Sequence, residues 1–66
     1  MTADQVLARS KMQPYRLVMR NTDKVWYWLQ TRQDGMWRDV RGPWRQRPAA
    51  FRRLQEYGAY QWLGDY

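Results

Sequence analysis

Apolar and polar positions alternate from Tyr15 to Arg20: Tyr15, Leu17 and Met19 fall on one side, Arg16, Val18 and Arg20 on the other. A two-residue period of this kind predicts a strand. Asn21-Thr22-Asp23 then supplies turn chemistry. Val25 to Arg32 reads as a second strand, rich in aromatic and β-branched residues. Asp34-Gly35 is a hairpin signal. Met36 to Arg41 makes a third strand, which Gly42-Pro43 ends. Pro48 suits the first turn of a helix in which Ala50, Phe51, Leu54 and Tyr57 share one face, and Gly58 is a natural stop. Ahead of the strands, Thr2 and Gln5 form a capping-box pattern that predicts a short helix through Val6 and Leu7. Pro14 favours extended backbone at Gln13. The expected fold is therefore α+β: a three-stranded antiparallel β-meander over about residues 15–41, packed against one C-terminal α-helix over about 48–57. The tail, 58–66, is apolar enough to dock or to add a strand, and residues 1–66 form a single small domain.

Turn geometry fixes which side chains share a face. A two-residue Asp34-Gly35 loop pairs Gln33 with Met36, Thr31 with Arg38, Arg32 with Trp37, Gln30 with Asp39, Leu29 with Val40 and Trp28 with Arg41. The first hairpin is expected to pair Met19 with Val25, Leu17 with Tyr27 and Tyr15 with Leu29. One face is then Tyr15, Leu17, Met19, Val25, Tyr27, Leu29, Met36 and Val40, with Arg38 at its edge. The other is Arg16, Val18, Arg20, Trp26, Trp28, Gln30, Arg32, Trp37, Asp39 and Arg41. The aliphatic face is assigned to the helix, because four arginines cannot be buried unpaired. Two alternatives stand beside this assignment. A three-residue Gln33-Asp34-Gly35 loop would turn Trp37 and Asp39 to the side of Leu29, and Trp26 and Trp28 could themselves be the core, since tryptophan is on average well buried. The tail's Trp62 and Leu63 could also cover part of the Arg/Trp face, where arginine stacked on indole is stable without a ligand.

Composition narrows the chemistry. A chain of 66 residues with five Trp, five Tyr and one Phe has aromatic area as its main stabiliser. Cysteine and histidine are both absent, so disulfides and the usual zinc ligand sets are excluded. The common nucleophile–base pairs go with them. The six acids are scattered: Asp23 and Asp34 belong to turns, and Asp39 among arginines reads as a cross-strand ion pair. The glycines stand at turns or ends, not in a phosphate loop. A non-enzymatic protein with no cofactor and no metal is expected. No apolar run is long enough to cross a bilayer and no secretory segment is evident, so no membrane partner and a cytoplasmic location are expected.

Twelve Lys and Arg against six Asp and Glu leave a net charge of +6, and only Lys11 and Lys24 of those bases are lysine. Arginine's planar fork fits phosphate and carboxylate, although a GC-rich genome enriches arginine without functional meaning. Arg41, Arg45, Arg47, Arg52 and Arg53 form a run that no acid interrupts between Asp39 and Glu56, with Trp44 inside it. Such a run reads either as a track for phosphates or as a solvated loop and helix face. Arg45 and Arg47 also flank the expected helix N-terminus, where free N–H groups favour an anion.

The succession of a strand, a Trp-rich strand, a Gly turn, "MWRDVRG" and a helix with "AAFRRL" resembles the three-stranded-sheet DNA-binding domains of tyrosine-integrase N-termini and plant ethylene-response factors. The resemblance spans roughly residues 15–57 and is one of pattern; Ala49 and Ala50 only partly match that family's alanine-rich helix. It implies a sheet entering the major groove with Arg16, Trp26, Trp28, Arg32, Trp37 and Arg41 as contacts. The chain also looks like small basic phage or prophage proteins, a class that binds and inhibits host machines such as RNA polymerase and CRISPR complexes. The expected function is a binding module contacting nucleic acid, DNA ahead of RNA. Its contacts would be Arg16, Arg20, Trp26, Trp28, Arg32, Trp37 and Arg41 on the sheet, with Trp44, Arg45, Arg47, Arg52 and Arg53 beyond it. The alternative is a phage-type inhibitor of an acidic or nucleoprotein host partner, as a monomer or weak homodimer. A third class, a structural dimer or virion component, would use an edge strand or the tail.

Overall fold

The computed structural model describes residues 4–63. Five strands, β1 (Gln5–Ser10), β2 (Tyr15–Asn21), β3 (Val25–Gln33), β4 (Met36–Trp44) and β5 (Tyr60–Trp62), form one antiparallel sheet in the order β4-β3-β2-β1-β5. One helix, α1 (Arg47–Gln55), crosses a single face of it. The fold is α+β, but the three-stranded meander is overturned by two further strands.

The segment read as an N-terminal helix is β1. So short a helix cannot repay its nucleation alone, whereas β2 offers an open edge. Val6 pairs with Val18, Ala8 with Leu17 and Arg9 with Arg16, with a bulge between Val6 and Ala8. Leu7 and Ala8 are both fully buried and both belong to the core under the helix. Thr2, the residue expected to cap that helix, lies outside the described residues, as does the end of the tail at 64–66. The rest of the tail adds a strand, with Ala8 opposite Trp62 and Ser10 opposite Tyr60.

The helix lies on the face of Leu17, Tyr27 and Leu29, against which Ala50 and Leu54 are buried. Each fully buried leucine, Leu7, Leu17, Leu29 and Leu54, contributes about 1.5–3 kcal/mol from area removed from water. Tyr15 stacks on Tyr57 with ring centroids 3.9 Å apart, and Phe51 meets Tyr60 at 5.4 Å and Trp62 at 5.3 Å. Trp62 therefore covers the helix side, not the Arg/Trp face. The helix spans 47–55 instead of 48–57, and Gly58 turns the chain away at φ 97°.

Both hairpins refine the expected pairing. In the first, Asn21 pairs with Val25, so Met19 meets Tyr27, Leu17 meets Leu29 and Tyr15 meets Thr31. The loop is Thr22-Asp23-Lys24, two residues shorter than the expected pairs require, and it is closed by the Lys24 N–H on Asp23 Oδ1 and the Thr22 N–H on the Lys24 carbonyl. A shift of two leaves every side chain on its own face. In the second, Asp34 and Gly35 take φ 54° and 79°, the left-handed values of a two-residue loop. The pairs from Gln33–Met36 to Gln30–Asp39 form as expected. Beyond Asp39 the register slips: Leu29 faces Arg41 and Tyr27 faces Trp44. Val40 is the inserted residue of this bulge and is exposed, as is Met36 at the hairpin tip, so neither joins the helix face. Gly42 makes the irregularity possible. Its φ is +118°, and a Cβ there would stand 2.9 Å from the Tyr27 carbonyl oxygen.

Candidate functional site

The sheet face away from the helix has its own packed layer. Val18 is fully buried there and Gln30 is buried beneath larger side chains. Trp26, Trp28 and Trp37 are half-buried, and guanidinium groups cover them. Arg20 lies over Trp28 at 5.2 Å, Arg45 over Trp26 at 4.8 Å, and Arg16 and Arg9 over Trp37 at 4.3 and 5.5 Å. A sheet with one helix must shield its second face somehow, and cation–π stacking does so with side chains that keep a polar rim.

The centre of this face is charge-balanced. Arg20 Nε donates to Asp4 Oδ1 at 2.7 Å and its Nη1 to Asp39 Oδ2 at 3.1 Å. Gln30 is the hub: its Oε1 accepts from Arg16 Nε at 2.8 Å, and its Nε2 donates to Asp39 at 2.9 Å and to Asp4 at 3.2 Å. The hydrogen bonds that Arg20 donates hold the Asp4 carboxyl below its ordinary value, and the acceptors Asp4 and Asp39 in turn raise the Arg20 pKa.

One end of the face is not balanced. Arg9 and Arg16 are directly opposed on neighbouring strands, an arrangement that repels. Among the described residues neither forms an ion pair, and neither do Arg32 or Lys11. Burial lowers the Arg16 pKa, Asp4 opposes that, and Arg9 adds to it. Arg32 pairs across the hairpin with Trp37.

The expected site residues thus divide. Arg16, Arg20, Trp26, Trp28, Arg32 and Trp37 share the outer face, and Arg45 joins it at the far end, donating to the Val25 carbonyl at 3.0 Å. Arg41 does not: the β4 bulge sets it opposite Leu29, and the Tyr57 phenol holds its charged form and raises its pKa. Trp44 packs against the core and Arg47 lies over Tyr27, so both serve the helix face. Arg52 and Arg53 are exposed on the helix, where Arg53 pairs with Glu56 at 3.1 Å. The basic run is therefore not one surface. Sequence reasoning missed Asp4, Arg9 and Lys11, which reach the site only because residues 5–10 form a strand. Gln30 and Asp39 were placed on the correct face.

Among the described residues no group of three or more His, Cys, Asp or Glu could hold a metal ion, and no helix is long and apolar enough to cross a membrane. No protein-family model, no curated protein and no solved structure matches the chain.

Proposed function

We propose that the protein is a non-enzymatic nucleic-acid-binding module, DNA ahead of RNA, that engages phosphates with the unbalanced end of its outer face. The observation that supports this reading is the opposed pair Arg9 and Arg16 over Trp37, with no carboxylate paired to either among the described residues. Two like charges held side by side gain from an anion between them. Stacking on the indole orders both guanidinium groups beforehand, which lowers the entropy lost on binding. In this reading the tryptophans present arginines; they do not read bases themselves. The carboxylates of Asp4 and Asp39 at the centre of the face disfavour deep entry into a groove lined by phosphates.

The test is a low-salt mobility shift with random-sequence DNA, repeated with Arg9→Gln, a substitution at an exposed position. Binding that weakens several-fold in the variant supports the reading; wild-type protein that shifts no nucleic acid at low salt refutes it. A second reading, a phage-type inhibitor of a host nucleoprotein machine, draws on the same mixed patch. Acids, arginines and half-buried indoles together make a surface suited to a protein partner. It requires a defined host protein that is retained after nuclease treatment and released by Trp28→Ala.

A further inference from the structure

Beside Trp37 the sheet ends in a cleft of about 590 Å³, lined by Arg9, Lys11, Gln13, Arg32 and Gln61 among others. Among the described residues, three of those lining it are cations and none is an acid. Both walls are pinned by backbone. The Lys11 N–H bonds the Ala59 carbonyl at 2.9 Å, and the Arg32 N–H bonds the Pro14 carbonyl at 3.0 Å. Ser10 Oγ accepts from the Gln13 N–H and donates to the Tyr57 carbonyl, both at 3.3 Å. The cleft is therefore built before any ligand arrives. Its polar lining offers donors from guanidinium, ammonium and amide groups, the set that a tetrahedral oxyanion needs.

We infer that this cleft is a phosphate site for a single-stranded nucleic acid, with Arg9, Lys11 and Arg32 as its cations. The inference rests on the nucleic-acid reading and sharpens it. A cleft of this size falls within the range of about 300–1,000 Å³ typical of small-molecule sites; it suits one nucleotide unit, not the width of a duplex. Arg16 continues the path of positive charge from the cleft onto the sheet through Arg9. A single strand can follow that short track past the sheet end and leave the balanced Asp4–Arg20–Asp39 centre uncovered.

The experiment is fluorescence anisotropy of labelled single-stranded DNA, single-stranded RNA and duplex DNA across a salt series. Wild-type protein is compared with Lys11→Gln/Arg32→Gln and with the helix variant Arg52→Gln/Arg53→Gln. All four positions are exposed, and circular dichroism checks the fold. Single strands are expected to bind more tightly than duplex. The cleft variant should lose about tenfold in affinity and about 1.4 from the slope of log K against log salt, for two lost contacts. The helix variant should change less than about threefold. The two single-strand arms tell which sugar is preferred, and either preference is in accord with the inference. Duplex preference, or equal losses in the two variants, overturns the inference while the nucleic-acid reading stands. If wild-type protein binds no nucleic acid, that reading fails, and a titration with inorganic pyrophosphate followed by amide NMR decides the cleft alone. Shifts centred on Lys11 and Arg32 keep an oxyanion site there, and their absence removes it.

Discussion

The two faces of this sheet solve one problem by different physics. The face under α1 is closed by Leu7, Leu17, Leu29 and Leu54, all fully buried, with tyrosine rings stacked at its margin. The opposite face has no covering element among the described residues and is closed by its own side chains, guanidinium over indole, around the buried amide of Gln30. The first arrangement is non-directional, because apolar contact has no preferred angle. The second is directional: Arg20 Nε donates to Asp4, Nη1 to Asp39 and Nη2 to both, and Gln30 bonds groups on three side chains. A face built this way can leave a small imbalance at one end, and here that imbalance is the Arg9–Arg16 pair.

Truncation separates the two kinds of closure most sharply on the helix side. Leu54→Ala leaves a cavity beneath the helix and should cost about 2–5 kcal/mol, comparable with the whole stability of a domain this small. Chemical denaturation is expected to find the variant largely unfolded. Gly42→Ala acts where the faces exchange partners. Its φ of +118° and the 2.9 Å approach to the Tyr27 carbonyl oxygen predict a loss of about 1–3 kcal/mol. The new methyl also meets the Trp28 ring at 3.2 Å, so a change in tryptophan fluorescence should accompany that loss.

Gln30→Leu probes the polar face alone. It keeps the volume but leaves Arg16, Asp4 and Asp39 without their shared partner. A loss of about 1–2 kcal/mol is expected in urea unfolding, the cost of partly buried groups left unpaired. Equal stability would mean that water replaces the amide without penalty and that the hub is incidental.

The smallest effect is the response to acid. Because Arg20 lowers the Asp4 pKa below 3.8, the carboxylate stabilises the fold above that value, and its contribution is lost as pH falls from about 4 toward the lowered pKa. The urea midpoint should decline over that interval, and less so in Asp4→Asn. An identical decline in both proteins would place the acid sensitivity elsewhere.

The chain's own pattern determined a good deal. Alternation over 15–20, the Asp34-Gly35 turn and the apolar stripe Ala50, Phe51, Leu54 were enough to set the two hairpins, the helix and the face it covers, because side-chain parity in a strand is a local property. Asp39 was also legible as an ion-pair partner. Tertiary structure decided the rest. Residues 5–10 became a strand because an open edge at β2 was available, a fact about neighbours that short-range capping signals at Thr2 and Gln5 cannot carry. The β4 bulge sent Arg41 and Trp44 to the helix side, beside a glycine where any side chain would meet Tyr27 and Trp28, neighbours that only the paired strand supplies. The candidate site lay partly out of sight for the same reason: Arg9, Lys11 and Asp4 meet Arg16, Arg32 and Arg20 only across strands. Periodicity specifies which way a side chain points. Which charges become neighbours depends on strand order, and strand order is settled only when the whole sheet is assembled.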